Sequence, residues 1–370
     1  MFNEIDKTEW KKLRHAFGSV RNIPLLLQSL ILPNEETREK ALIDLYNSVW
    51  YSENVCQATP FVIPFLIEIL DSREEADRFN ILIFLAKVAR DGDTYSKLRR
   101  NSVTDSKQHL QDKNWAQKSH DAVKNGMNVY LSLIYDEDEE IRAAASYVLS
   151  RFLFEQLELR DLLWQRLQLE NSSFVRASLI ANAMEGYTLY GETLTSVQST
   201  YISRIIDDKT DGEDKIVKVI AALQIASLAP GINTERAINI LLETILRAET
   251  LKEDYQQLPI DQSDIVSDAC NAVCLIGRHN ASAIVPSLAQ SLSQVDESEA
   301  QRVAYALLYL AFDNTAVEPN VLFCHLSDEA KEAITAILNN SQVWHFANIS
   351  QTLRLFGLPD SRQKLIDYVS

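Results

Sequence analysis

One pattern is written twice between Asn22 and Arg90, and it restricts the chain more than any other feature. An apolar stretch opening near a proline (IPLLLQSLIL, then TPFVIPFLIEIL) leads into a short polar break. After each break an amphipathic stretch begins with an arginine near its start, Arg38 and then Arg78, 40 residues later. The apolar positions Ala41, Leu42, Leu45, Tyr46, Val49 and Trp50 recur at the 3.6-residue period of a helix, as do Phe79, Leu82, Ile83, Ala86 and Ala89. A helical hairpin of this size cannot bury enough apolar surface to offset its own ordering, so such units must stack on one another.

Echoes of the pattern run almost to the C-terminus. They pair LLWQRLQL with SFVRASLIANAM, VQSTYISRII with IVKVIAALQIASL, AINILLETIL with IVSDACNAVCLIG, and AIVPSLAQSL with AQRVAYALLYLAF. The arginine phase runs Arg38, Arg78, Arg142, Arg176, Lys218, Ser267 and Arg302. Glycine supports the helical reading: 9 of 370 residues, where roughly 7 % is usual. The expected fold is all-α, one solenoid over residues 1–370. Residues 1–21 form a cap helix (Thr8–Phe17, with Trp10, Leu13 and Phe17 on one face) over the open end of the first repeat. Two repeats fill 22–90, an insertion 91–113, further repeats 114–320, and a C-terminal repeat with its cap 321–370.

The second-helix segments EIRAAASYVL and FVRASLIANA resemble the HEAT-repeat family, and the likeness covers most of residues 22–340. That resemblance implies a right-handed α–α superhelix whose second helices line a concave face. The N-terminal part (Trp10, Leu13, His15, Ala16, Gly18, then IPLLL, ALIDLY and QATPFVIPFL) is similar to a narrower group of bacterial HEAT-repeat proteins. That group commonly has a His-Gln-Gly triplet where this chain has Tyr51-Ser52-Glu53. What the resemblance implies is an interaction protein.

Residue chemistry points the same way. The net charge of −16 disfavours nucleic acid and anionic membrane surfaces, since phosphates are neutralised by clustered Lys and Arg. No apolar run approaches the ~20 residues of a membrane span, and the N-terminus lacks a secretion-signal layout, so a cytoplasmic protein is expected. The six histidines and four cysteines form no zinc spacing, and Cys270 with Cys274 reads as a buried pair on one helix. No nucleophile elbow, phosphate loop or dinucleotide fingerprint occurs, so no catalytic, metal or cofactor site is expected. The acidic run Asp136–Glu140 suits a helix N-terminus.

The expected function is a non-enzymatic scaffold that binds a protein or peptide partner on its concave face. Positions six and nine past the arginine phase give the candidate contacts Asp44, Asn47, Lys87, Arg151, Asn182, Glu185 and Gln224, a mixture of charges suited to a protein surface. A second candidate is the basic insertion Lys97, Arg99, Arg100, Lys107 and Lys113; residues 97–124 sum to +4 while the remainder of the chain sums to −20. Fold analogy alone supplies two enzyme-class alternatives, a HEAT-like DNA glycosylase (or another nucleic-acid-binding repeat protein) and a bilin-lyase-like protein.

Overall fold

Helices dominate the computed structural model, and where they begin follows from side chains at their N-termini. The described residues are all but 1, 3–4, 16–17, 20, 52–53, 73–76, 99–106, 191–193, 208–213, 229–233, 262–263, 319–320 and 346–347. They hold nineteen α-helices, short 3-10 turns and two hairpins of two-residue strands. By contact the chain divides into two compact units, Met1–Gly186 and Tyr187–Ser370.

The first unit opens differently from the expected cap helix. Residues Ile5–Lys7 and Trp10–Lys12 form 3-10 turns, and strands β1 (Arg14–His15) and β2 (Gly18–Ser19) pair antiparallel. Long-range contacts decide this. The Trp10 indole donates to the Ile5 carbonyl (2.8 Å), and its ring lies 6.0 Å from that of Phe65. The Phe2 amide donates to Glu68 (2.8 Å), so the segment rests on the second repeat rather than only capping the first. Phe17 lies outside the described residues.

The array follows: α1 (Ile23–Ser29), α2 (Glu35–Val49), the hairpin β3–β4 (Trp50–Tyr51 and Asn54–Val55), α3 (Thr59–Ser72) and α4 (Arg78–Leu98). Next come α5 (Lys107–Lys124), α6 (Met127–Leu133), α7 (Glu139–Ser150), α8 (Glu158–Leu169) and α9 (Ser173–Tyr190), within which the division into units falls. First helices touch first helices (α1 with α3, α3 with α5 and α6), and second helices touch second helices (α4 with α7). Asn34 and Asp138 cap α2 and α7 by accepting from the amides of Thr37 and Glu140. Asp138–Glu140 thus serve the helix end, as their position in the sequence suggests.

The insertion expected at 91–113 is helical where it is described, residues 99–106 lying outside the described residues. Residues 91–98 continue α4 and residues 107–113 begin α5, and these two helices pack on each other. Buried His120 anchors α5 with one ring nitrogen against the Ala89 carbonyl (2.9 Å) and the other against the Glu155 carboxylate. Gly126 separates α5 from α6. A Cβ there would lie 2.7 Å from Cζ of fully buried Tyr130 and 2.8 Å from Ile67 Cδ1.

The second unit contains α10 (Ser196–Asp207), α11 (Lys215–Leu228), α12 (Thr234–Leu246), α13 (Lys252–Gln257) and α14 (Ile265–Ile276). It continues with α15 (Ala281–Ser291), α16 (Glu297–Ala311), α17 (Asp328–Asn339), α18 (Asn348–Leu355) and α19 (Arg362–Val369). Two layers are explicit in the packing: α10, α12, α15, α17 and α19 touch in succession, and so do α11, α14, α16 and α18. This is the solenoid-like all-α arrangement that the repeats require.

Arginines of the repeated phase stitch the turns together. Arg38 donates to the carbonyls of Leu32 (2.9 Å) and Pro33 (2.8 Å), six and five residues before it. Arg142 does the same to Asp136 and Glu137 (both 2.9 Å). Two arginines of the phase reach the next turn: Arg78 pairs with Asp136 (2.7 Å), and Arg142 pairs with Glu170. Carbonyls in a turn lack helical donors, and the planar guanidinium satisfies two of them at once.

Candidate partner-binding surface

Exposed polar positions on second helices were expected at two phases, and in the structure each phase holds both exposed and buried members. Asp44 and Asn47 are exposed on α2, and Lys87 is exposed on α4 with Nζ 5.8 Å from the Trp50 ring. Beneath them Tyr46 stacks on Phe84 with centroids 4.1 Å apart, and the Tyr46 hydroxyl donates to the Asn80 carbonyl (2.6 Å). Gln224 is half-buried on α11.

Arg151 and Asn182 are not surface positions. Arg151 is 7 % and Asn182 1 % exposed. Arg151 pairs with half-buried Glu185 (2.7 Å) and lies over the Tyr147 ring (4.4 Å), and Asn182 donates to Ser146 (2.9 Å). One bond joins α9 to the middle of α7 and the other to its C-cap, across one repeat. Within the six-residue phase Phe84, Val148 and Asn182 are buried while Asp44 is exposed and Gln224 half-buried, so the count from the arginine does not by itself set exposure. Arg151 departs because α7 ends at Ser150, so a count of nine from Arg142 leaves the helix. Of the basic insertion, Lys97 lies in the last turn of α4 and Lys107 and Lys113 in the first two turns of α5; Arg99 and Arg100 lie outside the described residues.

The candidate site that sequence reasoning missed lies in the second unit. Three successive second helices, α14, α16 and α18, enclose an open cleft of about 410 Å³. That volume falls in the range of about 300–1,000 Å³ typical of ligand sites. From α14 come Asn271 and the buried Cys270 and Cys274; from α18 come Asn348 and Thr352. Helix α16 supplies Ser298, Gln301, Arg302 and Tyr305.

Electrostatics sort these groups. Burial pushes the Cys270 thiol well up and that of Cys274 to about 12, so both are packing groups rather than nucleophiles. The Gln301 amide donates to the Val343 carbonyl, while its Oε1 is buried with no hydrogen-bond partner. Exposed Arg302 forms no hydrogen bond or ion pair among the described residues. Tyr305 is 38 % exposed, with Phe356 and Tyr309 about its ring at 6.1 and 6.0 Å.

Arg302 belongs to the arginine phase, and α16 explains why it behaves unlike Arg38 and Arg142. Helix α16 begins unusually early, with Asp296 as the cap of a full capping box. The carbonyls six and five residues before Arg302 are therefore those of the cap and the first helical residue. The Asp296 carbonyl already accepts from the Ala300 amide (2.8 Å). Nor does the next turn offer a carboxylate like Asp136 or Glu170: no acidic residue occurs between Glu332 and Asp360. The signal was present in the sequence as Asp296 six residues before Arg302, but its meaning depends on where the helix starts.

Among the described residues no cluster of three or more His, Cys, Asp or Glu could hold a metal ion, and no helix is long and apolar enough to cross a membrane. No family model matches the chain, and no curated protein matches it. The chain is similar to the crystal structure of an engineered protein at 13 % identity, over 95 % of this chain and 89 % of that one, with a TM-score of 0.34. A likeness at that level carries no argument about function.

Proposed function

We propose that the chain is a binding scaffold which presents its second-helix layer to a protein or peptide partner. The observation that carries this reading is the open cleft across α14, α16 and α18, where the Arg302 guanidinium stands without a partner among the described residues. Repeat arrays commonly offer such continuous faces, because each unit adds one more second helix to the same surface. Exposed Asp44, Asn47 and Lys87 on the corresponding layer of the first unit extend the type of surface, with mixed charge. The HEAT-like pattern of the sequence supports the same reading. A nucleic-acid role gains little from a cleft with one cation, since a phosphate track needs several.

Affinity capture of the full chain from its native cell, with cross-linking and mass spectrometry, tests the proposal. A specific protein partner cross-linked at second-helix lysines such as Lys87 and Lys215 is the expected result. Recovery of no protein partner, or turnover of a small molecule by the purified chain, would overturn it.

A further inference from the structure

The cleft on the second unit has a specific chemistry, and it deepens the scaffold reading on which it rests. We infer that it takes a carboxylate presented by an extended peptide, gripped by the guanidinium of Arg302. Elsewhere in the array Arg38 binds turn carbonyls, Arg78 binds the next turn's acid, and Arg142 binds both, at Asp136, Glu137 and Glu170. Arg302 is deprived of both. Its own carbonyls are taken into helix α16, and the segment after Glu332 supplies no acid before Asp360. The carboxylate that completes the pattern comes from outside the chain.

The surrounding groups fit a peptide better than a free ion. Asn271 and Asn348, on opposite walls, can each donate and accept, matching the alternating N–H and C=O of an extended chain. The exposed part of the Tyr305 ring gives apolar stems a surface to pack on. A guanidinium fork matches the two oxygens of a carboxylate. The net charge of −16 repels polyanions and leaves isolated acidic groups as the acceptable ligands.

Two sources can bring the carboxylate, an aspartate or glutamate side chain or a free C-terminus, and the experiment separates them. The full chain is titrated with short alanine-based peptides: one capped at both ends with a central Glu, the same with Gln, and an acetylated all-alanine peptide with a free C-terminus. Inorganic phosphate is the fourth probe. The readouts are calorimetry and the Nε–Hε NMR signal of Arg302. Saturable binding of the Glu peptide or the free-terminus peptide is expected, about tenfold tighter than the Gln peptide and lost about tenfold in Arg302→Gln. The tighter of the two identifies the source. Because Arg302 is exposed and unbonded, the variant keeps the wild-type melting temperature, which is measured alongside; Arg302→Lys recovers only part of the affinity. Equal binding of the Glu and Gln peptides, tighter binding of phosphate than of either carboxylate, or full binding by Arg302→Gln would overturn the inference. If the wild-type chain still captures a protein partner in that event, the scaffold reading stands and only the cleft falls. If the peptides titrate but no protein partner is captured, the reverse holds.

Discussion

Arg142 holds Glu170 by a two-pronged bond, Nε to one carboxylate oxygen at 3.0 Å and Nη2 to the other at 3.1 Å. The two residues stand 28 apart in the chain, at the turns of successive repeats. Glu170 also accepts from Arg166 (2.7 Å) and from the amides of Asn171 and Ser172. One carboxylate thereby closes a turn and ties it to the turn before.

Acid sensitivity follows from that bond. Burial pushes the Glu170 carboxyl up, but hydrogen bonds from Arg142 and the Ser172 and Asn171 amides outweigh it and hold the group below its ordinary value. A carboxyl depressed in the folded state contributes stability that is fully present above the ordinary value of about 4.3, and is lost as pH falls through the folded one. Glu170→Gln is expected to cost about 3 kcal/mol at neutral pH, by leaving Arg142 and Arg166 without their acid. The fall in melting temperature between pH 6 and pH 3.5 should be smaller in the variant than in wild type. Equal falls would show that Glu170 does not carry the sensitivity.

The Arg151–Glu185 pair is expected to couple α7 and α9. Arg151→Met and Glu185→Gln should each destabilise by about 3 kcal/mol, because each removes one member of a largely desolvated ion pair. A double-mutant cycle in urea should give a coupling of about 1–3 kcal/mol. Additive effects would mean that the two groups do not depend on each other.

At the break between α5 and α6, Gly126→Ala is expected to destabilise by about 1–3 kcal/mol through overpacking against Tyr130 and Ile67. The added methyl's nearest neighbour is the Tyr130 hydroxyl, at 2.5 Å. Gly126→Ala should therefore cost less in a Tyr130→Phe background than in wild type. Thermal melts of the four chains decide it.

Thiol alkylation is expected to proceed in order of burial. Cys324 is exposed, Cys56 half-buried, and Cys270 and Cys274 are buried with thiols pushed up in pKa by that burial. Iodoacetamide at pH 7.5 should label Cys324 first and the α14 pair only on unfolding. Early labelling of Cys270 or Cys274, followed by peptide mass spectrometry, would show that α14 opens in the native chain.

Much of the architecture was legible because helical period and capping are local. Ala41, Leu42, Leu45 and Val49 repeat at the right spacing and are buried on α2, and Asn34 caps that helix as its type suggests. The candidate surface was less legible. A fixed count from the arginine assumes that every second helix has the same length and start. Helix α7 ends before Arg151, and α16 begins early enough to consume the carbonyls that Arg302 would otherwise bind. The N-terminal segment misled for a related reason: Trp10 and Leu13 are buried as their spacing suggests, but contacts with Phe65 and Glu68 replace the helix.

By itself the sequence determined that the chain is built of helices in hairpins that must stack, because apolar period, caps and scarce glycine act within a few residues. Tertiary structure alone decided which polar positions are buried between repeats and which stay open. Whether Asn182 is covered or Arg302 is left free depends on the neighbouring repeat, on where its helix starts, and on whether its turn supplies an acid.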